Sequence, residues 1–264
     1  MDIQKFLGDE NEKPLDRITG DGGFCSIFRT IGCVGDSLSS GEFESVDESG
    51  KKHYNDMFEY SWGQFIARMT GSRVYNFSRG GMTAKEYCES FAQDKDFWNP
   101  DLACRAYILA LGVNDVLNQN MTLGSTDDIC REDWSKNQPT FSGWFGQIVQ
   151  RLKAIQPDAK FFFVTCPPSG GDAQKELRAD AHAALMYRFA EFFDNSYVID
   201  LRKYGPAYDA AFREQFYLGG HMNACGYALT AKLIASYIDY IIRHNMKDFA
   251  QIAFVGTPLT YREV

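Results

Sequence analysis

The sequence predicts an α/β fold, arranged as a three-layer α/β/α sandwich around a five-stranded parallel sheet. Short runs rich in β-branched and aromatic residues alternate with longer stretches of helical periodicity, which is typical of parallel strands joined by crossover helices. The length of 264 residues suits one such domain with loop insertions as well as it suits two small domains. A content of 45% hydrophobic and 23% charged residues is sufficient for a sizeable core.

Five strands and five helices are expected in alternating order. The strands are predicted at residues 27–34, 73–77, 106–111, 160–165 and 197–199. The helices are predicted at residues 62–69, 83–91, 141–155, 173–193 and 224–244. We therefore predict a single domain over residues 1–264, with a core at about 27–245 and peripheral extensions at 1–24 and 248–264. Residues 252–255 are apolar and are predicted to form an edge strand or the contact of a homodimer.

Two long insertions interrupt this alternation, at residues 41–60 and 117–140. Loops of this length inside a compact domain are usually functional or mobile. Each follows a strand at the carboxyl edge of the sheet, where open α/β sheets bind their ligands. We expect both insertions to shape a substrate cleft.

Composition excludes several classes of function. A net charge of −8 and a pI near 5.1 argue against a nucleic-acid partner, which would need a clustered basic face. The sequence as given has neither a signal-peptide pattern nor an apolar run of membrane-spanning length, so we predict a cytoplasmic protein without a membrane span. Its seven cysteines form no Cys-x-x-Cys pair and are predicted to be free thiols in a reducing compartment.

Neither a metal nor a nucleotide cofactor is predicted. The chain has no His-x-x-x-His or paired-cysteine spacing of the kind that binds zinc. Its glycine-rich segments match neither the Gly-x-Gly-x-x-Gly pattern nor a Walker A loop. We therefore expect chemistry carried by the chain's own backbone and side-chain groups.

Four motifs place reactive residue types at strand or helix edges. The first strand ends at Gly35-Asp36-Ser37-Leu38, which puts the Ser37 hydroxyl at the carboxyl end of a strand. The later motifs are Gly80-Gly81, Gly112-Val113-Asn114-Asp115 and His221-Met222-Asn223. A serine at that edge is well placed as a nucleophile.

In this order the four motifs resemble those of the SGNH, or GDSL-type, serine hydrolases. The resemblance covers about residues 27–245. It implies the SGNH hydrolase fold with a flavodoxin-like strand order of 2-1-3-4-5, and ester hydrolysis through an acyl-enzyme on Ser37. His221 would be the base, and Ser37, Gly81 and Asn114 would form the oxyanion hole.

The residues themselves favour the same roles. A serine hydroxyl needs a base within hydrogen-bond reach, and histidine has a suitable pKa. The chain has four histidines, of which His53, His182 and His244 lie in an acidic loop, a polar helical stretch and the end of the last helix. His221 differs because two glycines bend the chain before it and a helix follows. Gly81 can bring its amide close to a substrate, and Asn114 offers a side-chain N–H.

The acid of a catalytic triad is missing from its usual place. The family carries an aspartate three residues before the histidine, where this chain has Leu218. A backbone carbonyl could orient His221 and leave a Ser-His dyad, which we favour slightly, or Glu214, Asp209 or Asp200 could reach it. We expect Asp36 to cap the backbone amides that follow it instead.

The predicted function is that of a serine esterase. The substrate would be a small-molecule or glycan ester, with a preference for short acyl groups such as acetyl on a carbohydrate. The carbohydrate is suggested by aromatic residues near the insertions, which suit sugar stacking. The alternatives are an acyltransferase that uses the same acyl-enzyme, and a catalytically degenerate member that binds an ester or glycan.

Overall fold

The computed structural model describes residues 3, 7–9 and 11–262. The strands are β1 (Thr30–Gly35), β2 (Glu42–Val46), β3 (Lys52–Asp56), β4 (Arg73–Ser78), β5 (Ala106–Ala110), β6 (Lys160–Val164), β7 (Ser196–Ile199), β8 (Tyr217–Leu218) and β9 (His221–Met222). Five of them form one parallel sheet in the order β4-β1-β5-β6-β7. Counted along the sheet, this is the predicted order 2-1-3-4-5, and the predicted fold class is confirmed.

Helices follow the strands on both faces of the sheet. The α-helices are α1 (Ser37–Ser40), α2 (Trp62–Thr70), α3 (Ala84–Glu86), α4 (Ala92–Asp94), α5 (Phe141–Ile155), α6 (Ala173–Phe192), α7 (Leu201–Tyr204), α8 (Ala210–Phe216) and α9 (Ala224–His244). Two π-helical segments lie at Tyr87–Phe91 and Val113–Asn118. Short 3₁₀ helices lie at Gly23–Ile27, Phe58–Tyr60, Pro100–Leu102, Thr126–Asp128, Trp134–Lys136, Met246–Phe249 and Ile252–Phe254.

The sheet is covered on both faces, and this explains its continuous apolar sequence. All five residues of β6 are buried. Successive side chains of a strand point to opposite faces, so Phe162 packs in the cluster beneath α2 and α9, while Phe161 and Phe163 pack in the cluster beneath α5 and α6. The carboxyl edge of this two-sided core is where the polar motifs emerge.

Two of the differences between the structure and the sequence prediction concern the first strand and residues 252–255. The first strand begins at Thr30, because residues Gly23–Ile27 form a 3₁₀ helix. The predicted edge strand at 252–255 is wrong, since Ile252–Phe254 is a 3₁₀ turn. Ile252 and Val255 are both buried in the cluster that includes α9, and their spacing of three matches the repeat of such a turn.

The insertion at 41–60 folds into a regular antiparallel hairpin of β2 and β3. Phe43 points to the core side of this hairpin, where its ring lies 5.4 Å from that of Tyr227. Glu42 and Glu44 therefore share the opposite face, with Tyr54 paired across from Glu44. The hairpin thus presents two carboxylates on one face.

Within the described part of the chain, no helix is both long and apolar enough to cross a membrane. The same residues include no group of three or more His, Cys, Asp or Glu side chains arranged to hold a metal ion. All seven cysteines are free thiols.

Candidate active site

Ser37 begins the single turn of α1 directly after β1. Asp36 caps this turn as predicted, since its Oδ1 accepts a hydrogen bond from the Leu38 amide at 3.0 Å. The Asp36 side chain is buried, and burial raises its pKa to about 7. Ser39 and Ser40 are each 1% exposed, whereas Ser37 lines an open cleft. The turn therefore presents one serine hydroxyl to solvent.

The cleft brings together the four residues expected from the sequence. It has a volume of about 580 Å³ and lies at the carboxyl edge of the sheet. Ser37, Gly81, Asn114 and His221 all contribute to its wall. The remaining lining residues are Asp36, Leu38, Glu42, Tyr54, Val113, Asn118, Arg213, Tyr217 and Gly220. Glu42 and Tyr54 come from the first insertion, and Asn118 comes from the second.

Hydrogen bonds tie the glycine loop to the asparagine motif. The fully buried Asp115 accepts a bond from the Ala84 amide at 2.7 Å, which caps the segment after the loop. Asn114 donates from Nδ2 to the Met82 carbonyl at 3.1 Å. Gly81 has a φ of +72°, and a Cβ there would meet nothing within 4 Å. The Gly81 backbone is therefore left-handed and faces open space, with Asn114 held beside it.

His221 lies on β9 and contacts two carboxylates of the hairpin. Its Nε2 is 3.0 Å from Oε1 of Glu42, and the two side chains are 16% and 14% exposed. Its Nδ1 is 3.9 Å from Oε2 of Glu44 and is buried without a hydrogen-bond partner among the described residues. The Tyr54 ring meets the imidazole edge-on at 5.6 Å. In this state Nε2 lies against the Glu42 carboxylate and makes no hydrogen bond to Ser37.

Burial and nearby charges act in opposite directions on the pKa of His221. Burial lowers the pKa of His221, and the negative charges of Glu44 and Asp56 partly oppose that shift. Burial raises the pKa of Glu42. Two hydrogen bonds, one from the Lys52 side chain and one from the Gly220 amide, lower the pKa of Glu44. Neutral imidazole, the form that a general base requires, is thereby favoured beside an ionised Glu44.

The three acids considered from the sequence lie elsewhere. Asp200 accepts hydrogen bonds from the Thr165 hydroxyl and the Tyr187 hydroxyl, both at 2.9 Å. Asp209 caps α8 through the Phe212 amide at 3.0 Å. Glu214 is exposed on that helix. The structure does not bring any of the three into contact with His221.

Sequence reasoning missed Glu42 and Glu44, although a signal for them exists. The segment Glu42-Phe43-Glu44 alternates polar and apolar residues, and such alternation in a strand puts both carboxylates on one face. Leu218 is 52% exposed and pairs with His221 across the β8–β9 turn.

The other histidines make contacts outside the cleft. His182 is fully buried and its Nε2 lies 3.0 Å from the Leu111 carbonyl; burial lowers its pKa to about 4. His53 bonds Asp47 at 2.7 Å in the hairpin, and His244 bonds the carbonyl one turn before it. None of these three histidines lines the cleft.

Comparison with known proteins gives a family match. The model of the GDSL-like Lipase/Acylhydrolase family matches residues 33–229, about three quarters of the chain. A comparison with curated protein sequences finds no significant match.

Solved structures of esterases share this fold. A family two carbohydrate esterase from Clostridium thermocellum, in complex with cellohexaose, has a TM-score of 0.57 at 13% identity, over 90% of this chain and 66% of that one. A family 3 carbohydrate esterase from the same organism has a TM-score of 0.52 at 15% identity, over 82% and 98%. The acetyl xylan esterase AlAXEase has a TM-score of 0.51 at 17% identity, over 79% and 99%. At these identities the likeness concerns the fold.

Proposed function

The chain belongs to the GDSL-like lipase/acylhydrolase family of ester hydrolases, and within it we propose a serine esterase that forms an acyl-enzyme on Ser37. The substrate we propose is a short-acyl ester, such as an acetyl ester, of a carbohydrate. The observation that carries this proposal is the shared cleft, in which Ser37, Gly81, Asn114 and His221 meet at the carboxyl edge of the sheet.

In the proposed reaction Ser37 Oγ attacks the ester carbonyl and Nε2 of His221 takes the hydroxyl proton. The alcohol leaves with that proton, and His221 then activates water to release the acid. Because Nε2 lies 3.0 Å from Oε1 of Glu42 in the free protein, the first step requires His221 to leave this contact and bond Ser37. Such rearrangement is common, since catalytic hydrogen bonds of free enzymes often form fully in the complex with substrate.

Three donors would stabilise the oxyanion. These are the backbone amides of Ser37 and Gly81 and the Nδ2 group of Asn114. Nδ2 has two N–H bonds, and the contact with Met82 uses one of them. The other is free to point into the cleft. Each such donor is worth about 10²- to 10³-fold in rate.

The preference for a short acyl group is supported by a small apolar cavity below the nucleophile turn. This cavity of about 60 Å³ shares Asp36, Leu38 and Val113 with the cleft, and its other lining residues include Trp62 and Ile234. At about 10–15 Å³ for each water-sized group, it holds roughly four to six such groups. That is room for an acyl chain of a few carbon atoms.

The carbohydrate part of the proposal is supported at the rim of the cleft. The Tyr54 ring lines the cleft and is 56% exposed, so part of its surface is available to a sugar ring. Proteins of the same fold include the carbohydrate esterases described above. Both points favour a sugar as the alcohol of the ester.

The test combines labelling with a substrate series. A fluorophosphonate should label Ser37, and p-nitrophenyl esters of rising chain length should show highest kcat/KM for acetate, with acetylated sugars also hydrolysed. Product analysis with an added alcohol acceptor separates hydrolysis from acyl transfer. A protein that neither reacts with the label nor hydrolyses any ester would be a binding member of the family, and the proposal would be rejected.

A further inference from the structure

The acid that usually orients the catalytic histidine is absent from its usual position, because Leu218 stands where similar hydrolases carry an aspartate. An imidazole that takes a proton at one nitrogen is held by an acceptor at the other. The two nitrogens of His221 differ in surroundings. Nε2 lies beside Glu42, which lines the cleft, whereas Nδ1 is buried without a hydrogen-bond partner in the described structure. The base atom is therefore Nε2, and the orienting acceptor belongs beside Nδ1.

Glu44 is the carboxylate on this buried side. Its Oε2 is 3.9 Å from Nδ1, its side chain is 5% exposed, and it does not line the cleft. The usual N–H···O distance is about 2.9 Å, so a relative shift of about 1 Å forms the hydrogen bond. Glu42 occupies a different position, because it competes with Ser37 for Nε2.

Three features hold the Glu44 carboxylate in place. Its Oε2 accepts a hydrogen bond from the Gly220 amide at 2.8 Å. Its Oε1 lies 2.6 Å from Nζ of Lys52. Gly219 has a φ of +64°, and a Cβ at that position would lie 2.4 Å from Oε1. The β8–β9 turn that carries His221 therefore closes tightly onto Glu44, and the nearby cation and amide favour its ionised form.

We propose that Glu44, supplied by the β2–β3 hairpin, replaces the absent aspartate and orients His221 through Nδ1. This inference rests on the proposed esterase function. Glu44 is a positioning residue, since it acts through His221 and does not touch the substrate.

The proton movements balance without any further reactant. As the bond between Ser37 Oγ and the carbonyl carbon forms, the hydroxyl proton passes to Nε2, and the resulting imidazolium donates Nδ1–H to Glu44, which stays ionised. The ester C–O bond then breaks and the alcohol oxygen takes the proton from Nε2. Water repeats the sequence in deacylation and leaves Ser37 protonated again.

The pH dependence of catalysis distinguishes this role from a structural one. The charged groups around His221 come from the hairpin (Glu42, Glu44, Lys52 and Asp56), from the turn after β1 (Asp36) and from α8 (Arg213). Removing the negative charge of Glu44 lowers the pKa of His221 further, so the acid limb of kcat/KM should move to lower pH. Removing the positive charge of Lys52 should move it to higher pH.

The experiment compares Glu44→Gln with Glu48→Gln, a matched control at an exposed position of the same hairpin. We expect Glu44→Gln to lower kcat for p-nitrophenyl acetate by about 10²- to 10⁴-fold with little change in KM. Its acid limb should move down by roughly one pH unit. Glu48→Gln should keep both the rate and the limb of the wild type.

Lys52→Met tests the proposed role of Glu44 while leaving the Glu44 carboxylate in place. It should retain kcat within about tenfold and shift the acid limb upward, opposite to Glu44→Gln. The assignment is overturned if Glu44→Gln retains kcat within about tenfold, if both variants shift the limb in one direction, or if Glu42→Gln alone abolishes turnover. A wild-type protein that is inactive and unlabelled at Ser37 instead overturns the esterase proposal itself.

Discussion

Replacing Asn114 by alanine should separate a catalytic donor from a structural one. The change removes the proposed oxyanion donor together with the hydrogen bond to the Met82 carbonyl. A donor that acts mainly in the transition state affects kcat more than KM. We expect kcat to fall about 10²- to 10³-fold, which is about 2.7–4 kcal/mol of transition-state stabilisation.

The structural cost of the same change is much smaller. A neutral hydrogen bond contributes about 0.5–1.5 kcal/mol to stability. A loss of that size lowers the melting temperature of a protein of this length by only a few degrees, about 2–4 °C per kcal/mol. The glycine loop also keeps its second attachment, since Asp115 still accepts from the Ala84 amide at 2.7 Å. Asn114→Ala should therefore fold normally but have a much lower kcat.

Asn137→Ala is the matched control for Asn114→Ala. The Asn137 amide donates to the Gly143 carbonyl at 3.0 Å and accepts from the Cys130 amide at 2.8 Å, away from the cleft. It should lower the melting temperature and leave kcat near that of the wild type. Steady-state kinetics and thermal unfolding measured on both variants decide the matter. A normal kcat for Asn114→Ala, or equal losses in both variants, would refute the donor role.

Three further predictions address the nucleophile, its cap and the rim of the cleft. Peptide mapping after fluorophosphonate treatment should place the adduct on Ser37, and Ser37→Ala should abolish both labelling and turnover; an adduct on either buried serine that follows it would contradict the assignment. Asp36 has a pKa of about 7 in the folded protein, against its usual value of 3.8. Between these two pH values the folded state keeps the proton that the unfolded chain has lost, so the free energy of unfolding should fall as the pH rises from one value to the other. In urea denaturation at about pH 4.5 and about pH 7.5, Asp36→Asn should show a smaller fall than the wild type, and an equal fall would show that the buried charge is not responsible. Tyr54→Ala should raise KM for acetylated sugars about 2- to 10-fold while affecting p-nitrophenyl acetate less, and equal effects on both substrates would argue against stacking.

The sequence alone determined the fold class and the proposed nucleophile, base and oxyanion donors. Strand and helix periodicity are local properties, and the sheet is buried on both faces, so its strands appear as apolar runs such as Phe161–Phe163. The four motifs follow such runs or precede a helix. Because parallel strands end at one edge, their meeting in a cleft could be predicted without knowledge of any contact.

Only the tertiary structure decided which carboxylates approach His221. Glu44 is 176 residues from Gly220, whose amide it binds, and no local pattern indicates where a hairpin will fold across the edge of a sheet. Of the acids nearer to His221 in sequence, Asp209 caps a helix, Asp200 accepts from hydroxyl groups and Glu214 is exposed. A side chain that caps a helix accepts hydrogen bonds from backbone amides close to it in sequence. A side chain on the face of a strand projects away from its own backbone, so its partner is a residue that tertiary packing places opposite that face. For Glu42 and Glu44 that group is the imidazole of His221, so the charge environment of the base depends on long-range packing.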